Sequence, residues 1–136
     1  MARNIRCLLI VAIAFGQACK GPAAPSTLPT GTWGGDHISM TVSQAVTHVE
    51  FDCAHADIPL QIQRDKVNRF EVSGTFVREH GGPIRLGEVP DSHPALFTGS
   101  IAEATMTLGI RLTEPNETIG SYVLTRGAAG RVFKCL

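Results

Sequence analysis

Five histidines and a dozen acidic residues carry most of the chemistry open to this chain. His37, His48, Glu50 and Asp52 sit at positions that a β-hairpin would bring to one face, a set able to hold a divalent metal or to run acid/base work. Cys53-Ala54-His55-Ala56-Asp57 groups a thiol with a base, the pair that a nucleophilic cysteine requires. His80, Arg85, Glu88, Asp91 and His93 form a third group, in which an arginine flanked by histidines suits an anion. Each group also has a plainer account. Alternation puts polar residues on the wet face of any half-buried sheet, and opposite charges across strands are ordinary there. The close ligand spacing of zinc sites is missing. Gly-x4-Gly-Lys, His-Glu-x-x-His and Gly-x-Ser-x-Gly do not occur. We therefore expect no catalytic residue, no metal and no cofactor.

The elements that must position these groups read as strands. Ile38, Met40 and Val42 alternate with polar residues, as do Val49, Phe51 and Cys53. Phe70, Val72, Gly74 and Phe76 form a third series, and Ala95, Phe97, Gly99 and Ile101 a fourth. Met106, Leu108, Ile110 and Leu112 form the fifth and cleanest. Period 2 is the mark of a strand with one buried face. A turn at Gln44-Ala45 pairs Met40 with Val49 and Ile38 with Phe51, which sets His37 opposite Asp52, Ser39 opposite Glu50 and Thr41 opposite His48. A turn over Ala102–Thr105 pairs Ile101 with Met106, Gly99 with Leu108 and Phe97 with Ile110. A slip by one residue would expose every apolar side chain in either hairpin, so both registers are well specified. Further strands are expected at Ile58–Gln63, Ile119–Arg126 and Arg131–Leu136. The fold class is then all-β: a small eight-stranded antiparallel up-and-down barrel, with a curled sandwich as the alternative. Gly74 and Gly99 suit the bends of a small barrel. His80–His93 is the one long loop, rich in glycine and proline, and loops of that length are often functional.

The chain opens with Arg3 and Arg6, an apolar run from Cys7 to Phe15, and small residues at Gly16 and Ala18. That is the layout of an export signal cut after Ala18. The run is too short to span a bilayer, which needs roughly 20 residues. Gly16-Gln17-Ala18-Cys19 resembles a lipobox, which implies a lipid on Cys19 and a bacterial lipoprotein anchored to the membrane. Plain secretion is the alternative. Lys20, where Asp would be the usual inner-membrane retention mark, points to the outer membrane. Residues 20–30, with three prolines, read as a tether reaching at most roughly 35 Å. The expected domains are thus a signal at 1–18, a lipid-anchored tether at 19–30 and one barrel at 31–136.

The four cysteines support this division. Cys7 leaves with the signal, and lipidation of Cys19 leaves Cys53 and Cys135 as an even pair in an oxidising compartment, where a disulfide is expected. Loss of Arg3 and Arg6 turns a neutral chain slightly acidic. With no basic stripe and single Trp and Tyr residues, nucleic acid is not an expected partner.

Gly31-Thr32-Trp33 resembles the Gly-X-Trp start of the calycins, the lipocalin and avidin group. The resemblance implies that Trp33 packs across the closed end of a barrel with an arginine over it, a part open to Arg126 or Arg131. The export signal, Gly-Thr-Trp-Gly-Gly, Phe-Asp-Cys-Ala-His, Glu-His-Gly-Gly-Pro-Ile-Arg and the final Lys-Cys-Leu also resemble uncharacterised bacterial lipoproteins, a family that brings no activity with it. The function expected is a non-enzymatic binding module at the cell envelope. Its ligand would be a small apolar or amphipathic molecule at the open end, rimmed by the His80–His93 loop, and the candidate ligand-binding residues are Trp33, His80, Arg85, His93, Arg126 and Arg131. The alternative is an interaction or enzyme-inhibitor domain that docks an envelope protein.

Overall fold

The computed structural model describes residues 25–136. The expected signal, its expected cleavage point and Cys19 lie outside the described residues. Among the described residues ten strands form: β1 (Ser26–Thr27), β2 (Gly31–Gly35), β3 (Ile38–Val42), β4 (Thr47–Phe51), β5 (Ala54–Ile58), β6 (Gln63–Arg64), β7 (Arg69–Arg78), β8 (Asp91–Ala102), β9 (Thr105–Leu112) and β10 (Glu117–Arg126). Eight of them close an antiparallel up-and-down barrel in the order β10-β2-β3-β4-β5-β7-β8-β9, and β1 and β6 pair outside it. The barrel is the expected architecture, and the sandwich is excluded.

The period-2 pattern becomes the inside face. β4 alternates buried and half-buried residues, and β9 buries Met106, Leu108, Ile110 and Leu112. Both hairpin registers follow from that face: Met40 pairs with Val49 and Ile38 with Phe51, while Gly99 pairs with Leu108 and Phe97 with Ile110. The interior is filled by side chains. Met40, Val49, Ala56, Phe97, Leu108, Leu112 and Leu124 have no exposed surface, and Trp33 keeps 2%. Phe70 lies against its register partner Gly99, so that the ring takes the space a side chain at 99 would need.

Five sequence expectations are corrected. Ile58–Gln63 is not a strand: β5 ends at Ile58, just before Pro59, which has no N–H to donate to a ladder. Cys53 does not continue the inner face of β4. It sits in the tight β4–β5 turn with φ of 52°, half-buried. His93 belongs to β8 rather than to the loop, which covers residues 79–90. Arg131–Leu136 is no strand either, because only an isolated parallel bridge joins Asp36 to Arg131 and Phe133 is 62% exposed. Residues 26–28, expected in the tether, pack onto the domain instead. Ser26 and Thr27 pair with Arg64 and Gln63, the Leu28 N–H donates to the Ile62 carbonyl at 2.8 Å, and both Leu28 and Ile62 are buried.

Strand direction assigns each connection to a pole. Leu28, Ile62 and the turns at 43–46 and 102–104 lie at the pole where the chain enters the barrel. The turns at 36–37, 52–53 and 113–116 and the 79–90 loop lie at the opposite pole. The tail, residues 127–136, connects the two. It leaves β10 at the entry pole, runs up over the β2–β3 hairpin, and crosses to the far pole. The Arg131 N–H donates to the Gly35 carbonyl at 2.9 Å, and the His37 N–H to the Arg131 carbonyl at 2.7 Å. Gly34 makes this crossing possible, since a Cβ there would lie 2.3 Å from the Gly130 nitrogen. Gly34→Ala should therefore lower unfolding free energy by about 1–3 kcal/mol, the usual cost of overpacking. Thermal unfolding measures it, and an unchanged midpoint would mean that the tail does not cross here.

Candidate functional site

Polar side chains gather on the outer face of β4, β5 and β7, beneath the tail. His48 and Glu50 on β4 stand opposite Asp57 and His55 on β5. His48 lies between two carboxylates, Nδ1 at 2.6 Å from Asp57 and Nε2 at 2.7 Å from Glu50. His55 Nδ1 is 2.6 Å from Glu79, beyond the end of β7. Lys134 of the tail binds Glu79 at 3.1 Å and the Ala54 carbonyl at 3.2 Å, and it also pairs with Glu50. Asp57 and Glu50, the first more than the second, hold the His48 pKa above its usual range. Burial pushes the Glu50 and Glu79 carboxyls up, but their histidine and lysine partners outweigh it and hold both below the usual range. Nearby, His37 Nδ1 is 2.5 Å from Asp52, whose other oxygen accepts the Phe133 N–H at 2.7 Å. That amide is the main reason the Asp52 carboxyl sits low.

In this network each carboxylate already faces a cation or a donor. Among the described residues no three ligand side chains converge as a metal would need. The Cys53 thiol is consumed in a disulfide with Cys135, with Cα atoms 5.0 Å apart, inside the range such bridges require. The constellation joins the tail to the outer face of β4, β5 and β7 through Lys134, Phe133 and the disulfide.

The 79–90 loop is built differently. Arg85 to Glu88 closes a turn, with the Glu88 N–H donating to the Arg85 carbonyl at 3.0 Å. Gly87 has φ of 81°, a conformation glycine adopts without strain. One Glu88 oxygen accepts the Arg85 N–H at 3.0 Å, and the other pairs with His80 at the loop's start. Gly81 packs against the carbonyl of Leu136, so the disulfide-tied tail supports the loop from behind. The loop's apolar side chains nevertheless face outward. Ile84 is 84% exposed, Val89 84%, and Leu86 at the turn fully so.

No family model, curated protein or solved structure matches the chain.

The six residues expected to bind a ligand are dispersed. Trp33 is buried in the wall between β3 and β10. Arg126 is its register partner and is exposed, whereas Arg131 is committed to Asp36 at 2.6 Å. His93 on β8 pairs with Asp91 at 2.7 Å. Only His80 and Arg85 lie together, in the loop. Sequence reasoning missed Lys134, Glu79 and the outward Ile84, Leu86 and Val89. Glu79 continues the outward alternation of β7, and Lys134 adjoins a cysteine expected to bridge to Cys53, so a signal for both was present.

Proposed function

We propose that this chain is a non-enzymatic docking domain, exported and lipid-anchored through Cys19 at the cell envelope, which uses the 79–90 loop to bind another protein. The observation that carries the proposal is a braced loop displaying three exposed apolar side chains on a barrel whose interior is already full. A filled barrel favours docking over a ligand held inside. Single exposed apolar residues are normal, but a cluster at one loop marks a contact surface. A loop pre-ordered by its own hydrogen bonds loses little entropy on binding. Orientation fits as well: the chain enters at the pole opposite the loop, so a lipid on Cys19 would leave the loop facing away from the membrane. A groove of about 460 Å³ under the loop, lined by His55, Val77, Ile84 and Val89, favours a second reading, an amphipathic small ligand held there.

Burying a leucine side chain contributes about 1.5–3 kcal/mol. Leu86→Asp should thus weaken docking at least about tenfold. A photo-reactive residue at position 84, introduced in the native host, should give one discrete adduct that Leu86→Asp abolishes. The same probe at Ser43, on the entry pole, should give none. Equal adducts from both positions would reject the loop as the contact element.

A further inference from the structure

The histidine at the root of this loop has an arrangement that only one of its protonation states satisfies. His80 Nδ1 is 2.8 Å from the Gly81 carbonyl oxygen, and Nε2 lies against the Glu88 carboxylate. Both partners are acceptors. A neutral imidazole carries one N–H, so only the imidazolium can donate to both. The Glu88 carboxylate in turn orients the turn, through the Arg85 N–H at 3.0 Å. The chain of contacts therefore runs from a proton on His80, through Glu88, to the turn that displays Leu86.

We infer that His80 is a proton-operated latch on the 79–90 loop: as an imidazolium it donates to both Gly81 and Glu88 and ties the loop's two ends together, and loss of its proton leaves one of those acceptors without a donor and loosens the turn. This rests on the docking reading of the same loop, and it adds that docking is regulated by pH.

Among the described residues, Glu88 is the charged side chain that His80 contacts. The charged and titratable groups lining the groove beside His80 are His55 of β5, Arg78 and Glu79 at the end of β7, and Asp91 at the start of β8. Each is already engaged. Glu79 holds His55 and Lys134 of the tail, Arg78 pairs with Glu117 of β10 at 2.9 Å, and Asp91 pairs with His93. His80 itself is 57% exposed, so its proton exchanges freely with solvent. The Gly81 carbonyl first and Glu88 second raise its pKa above the usual histidine value, while Arg85's amide, then His80, lowers that of Glu88. The sign follows. A group whose pKa is raised in the folded state contributes most below its unfolded value and loses that contribution as pH climbs through the folded value. The latch is closed in mildly acidic solution and opens as pH rises past the His80 midpoint.

Nuclear magnetic resonance on the intact protein tests this without any partner. The His80 ring signal should titrate, and in Glu88→Gln its midpoint should fall. Between pH 5.5 and pH 8.5, backbone order at Arg85, Leu86 and Gly87 should drop in the wild type and stay constant in His80→Gln. Loop order that ignores pH while His80 titrates would overturn the latch. So would an identical drop in His80→Gln, since another group would then be responsible. Failure of docking shows separately, as loss of the adduct at position 84 with the pH response intact.

Discussion

Removal of the Cys53–Cys135 bridge should destabilise this domain more than any change at its surface, and should release the tail as a unit. The bridge closes 82 residues of chain. The loop-entropy account assigns such a closure about 4.5 kcal/mol, an upper-end figure that native-state strain reduces. Against an ordinary domain stability of about 5–15 kcal/mol this is a large share. The tail's other contacts are weaker. Lys134 with Glu50 and Glu79, and Arg131 with Asp36, are partly or largely exposed pairs, and such pairs contribute about 0–1 kcal/mol each. Cys53→Ala/Cys135→Ala should therefore lower unfolding free energy by about 3–4.5 kcal/mol, whereas Lys134→Ala should cost at most about 1 kcal/mol. Urea unfolding separates the two effects. The double variant should also show a steeper denaturant dependence, because an uncrosslinked unfolded chain exposes more surface. A loss below about 1 kcal/mol would mean that the ion pairs, not the bridge, hold the tail. Gly81 packs on Leu136, so the double variant should disorder the 79–90 loop as well, which links the bridge to the surface we assign to docking.

The barrel was legible because its strongest physical signal is local. Met106, Leu108, Ile110 and Leu112 state both the strand and its buried face, and a one-residue slip is penalised at every position. β5 was harder to see. Ala54 and Ala56 do alternate with His55 and Asp57, but alanine carries little hydropathy contrast, and Cys53 looked like a continuation of β4 when it is a turn residue at positive φ. The tail was misread for a related reason. Val132, Phe133 and Cys135 suggest a strand, yet no strand offers them a ladder, and their path is set by the backbone crossing at Gly34. The histidine–carboxylate face divides the same way. His37 with Asp52 follows from one hairpin register, but His55 with Glu79 and Lys134 depends on where a distant segment is tied down. The loop's exposed apolar residues have no periodic signature at all, since a loop has no face to alternate.

Phe97→Ala separates the core from the docking surface. Phe97 has no exposed area, and it pairs with Val72 of β7 on one side and Ile110 of β9 on the other, in the middle of the filled interior. Truncating a buried phenylalanine costs about 3–5 kcal/mol, part from lost transfer energy and part from the void left behind. A barrel wall tied by hydrogen bonds on both sides cannot collapse far into that void, so the upper half of the range applies. The void would be lined by apolar side chains and would stay dry, which makes it a site for benzene. Saturating benzene should then raise the unfolding midpoint of Phe97→Ala and leave the wild type unmoved, because a ligand stabilises only the state that has room for it. Leu86→Asp should show the opposite profile: unfolding free energy within about 0.5 kcal/mol of the wild type, as for an exposed loop residue, with docking lost. A wild-type barrel stabilised by benzene would mean that the interior does take apolar guests, and the ligand-binding reading of this fold would then regain priority over docking. If benzene acts only on Phe97→Ala and docking is lost only in Leu86→Asp, the barrel serves as a solid support, and what this protein recognises lies at its far pole.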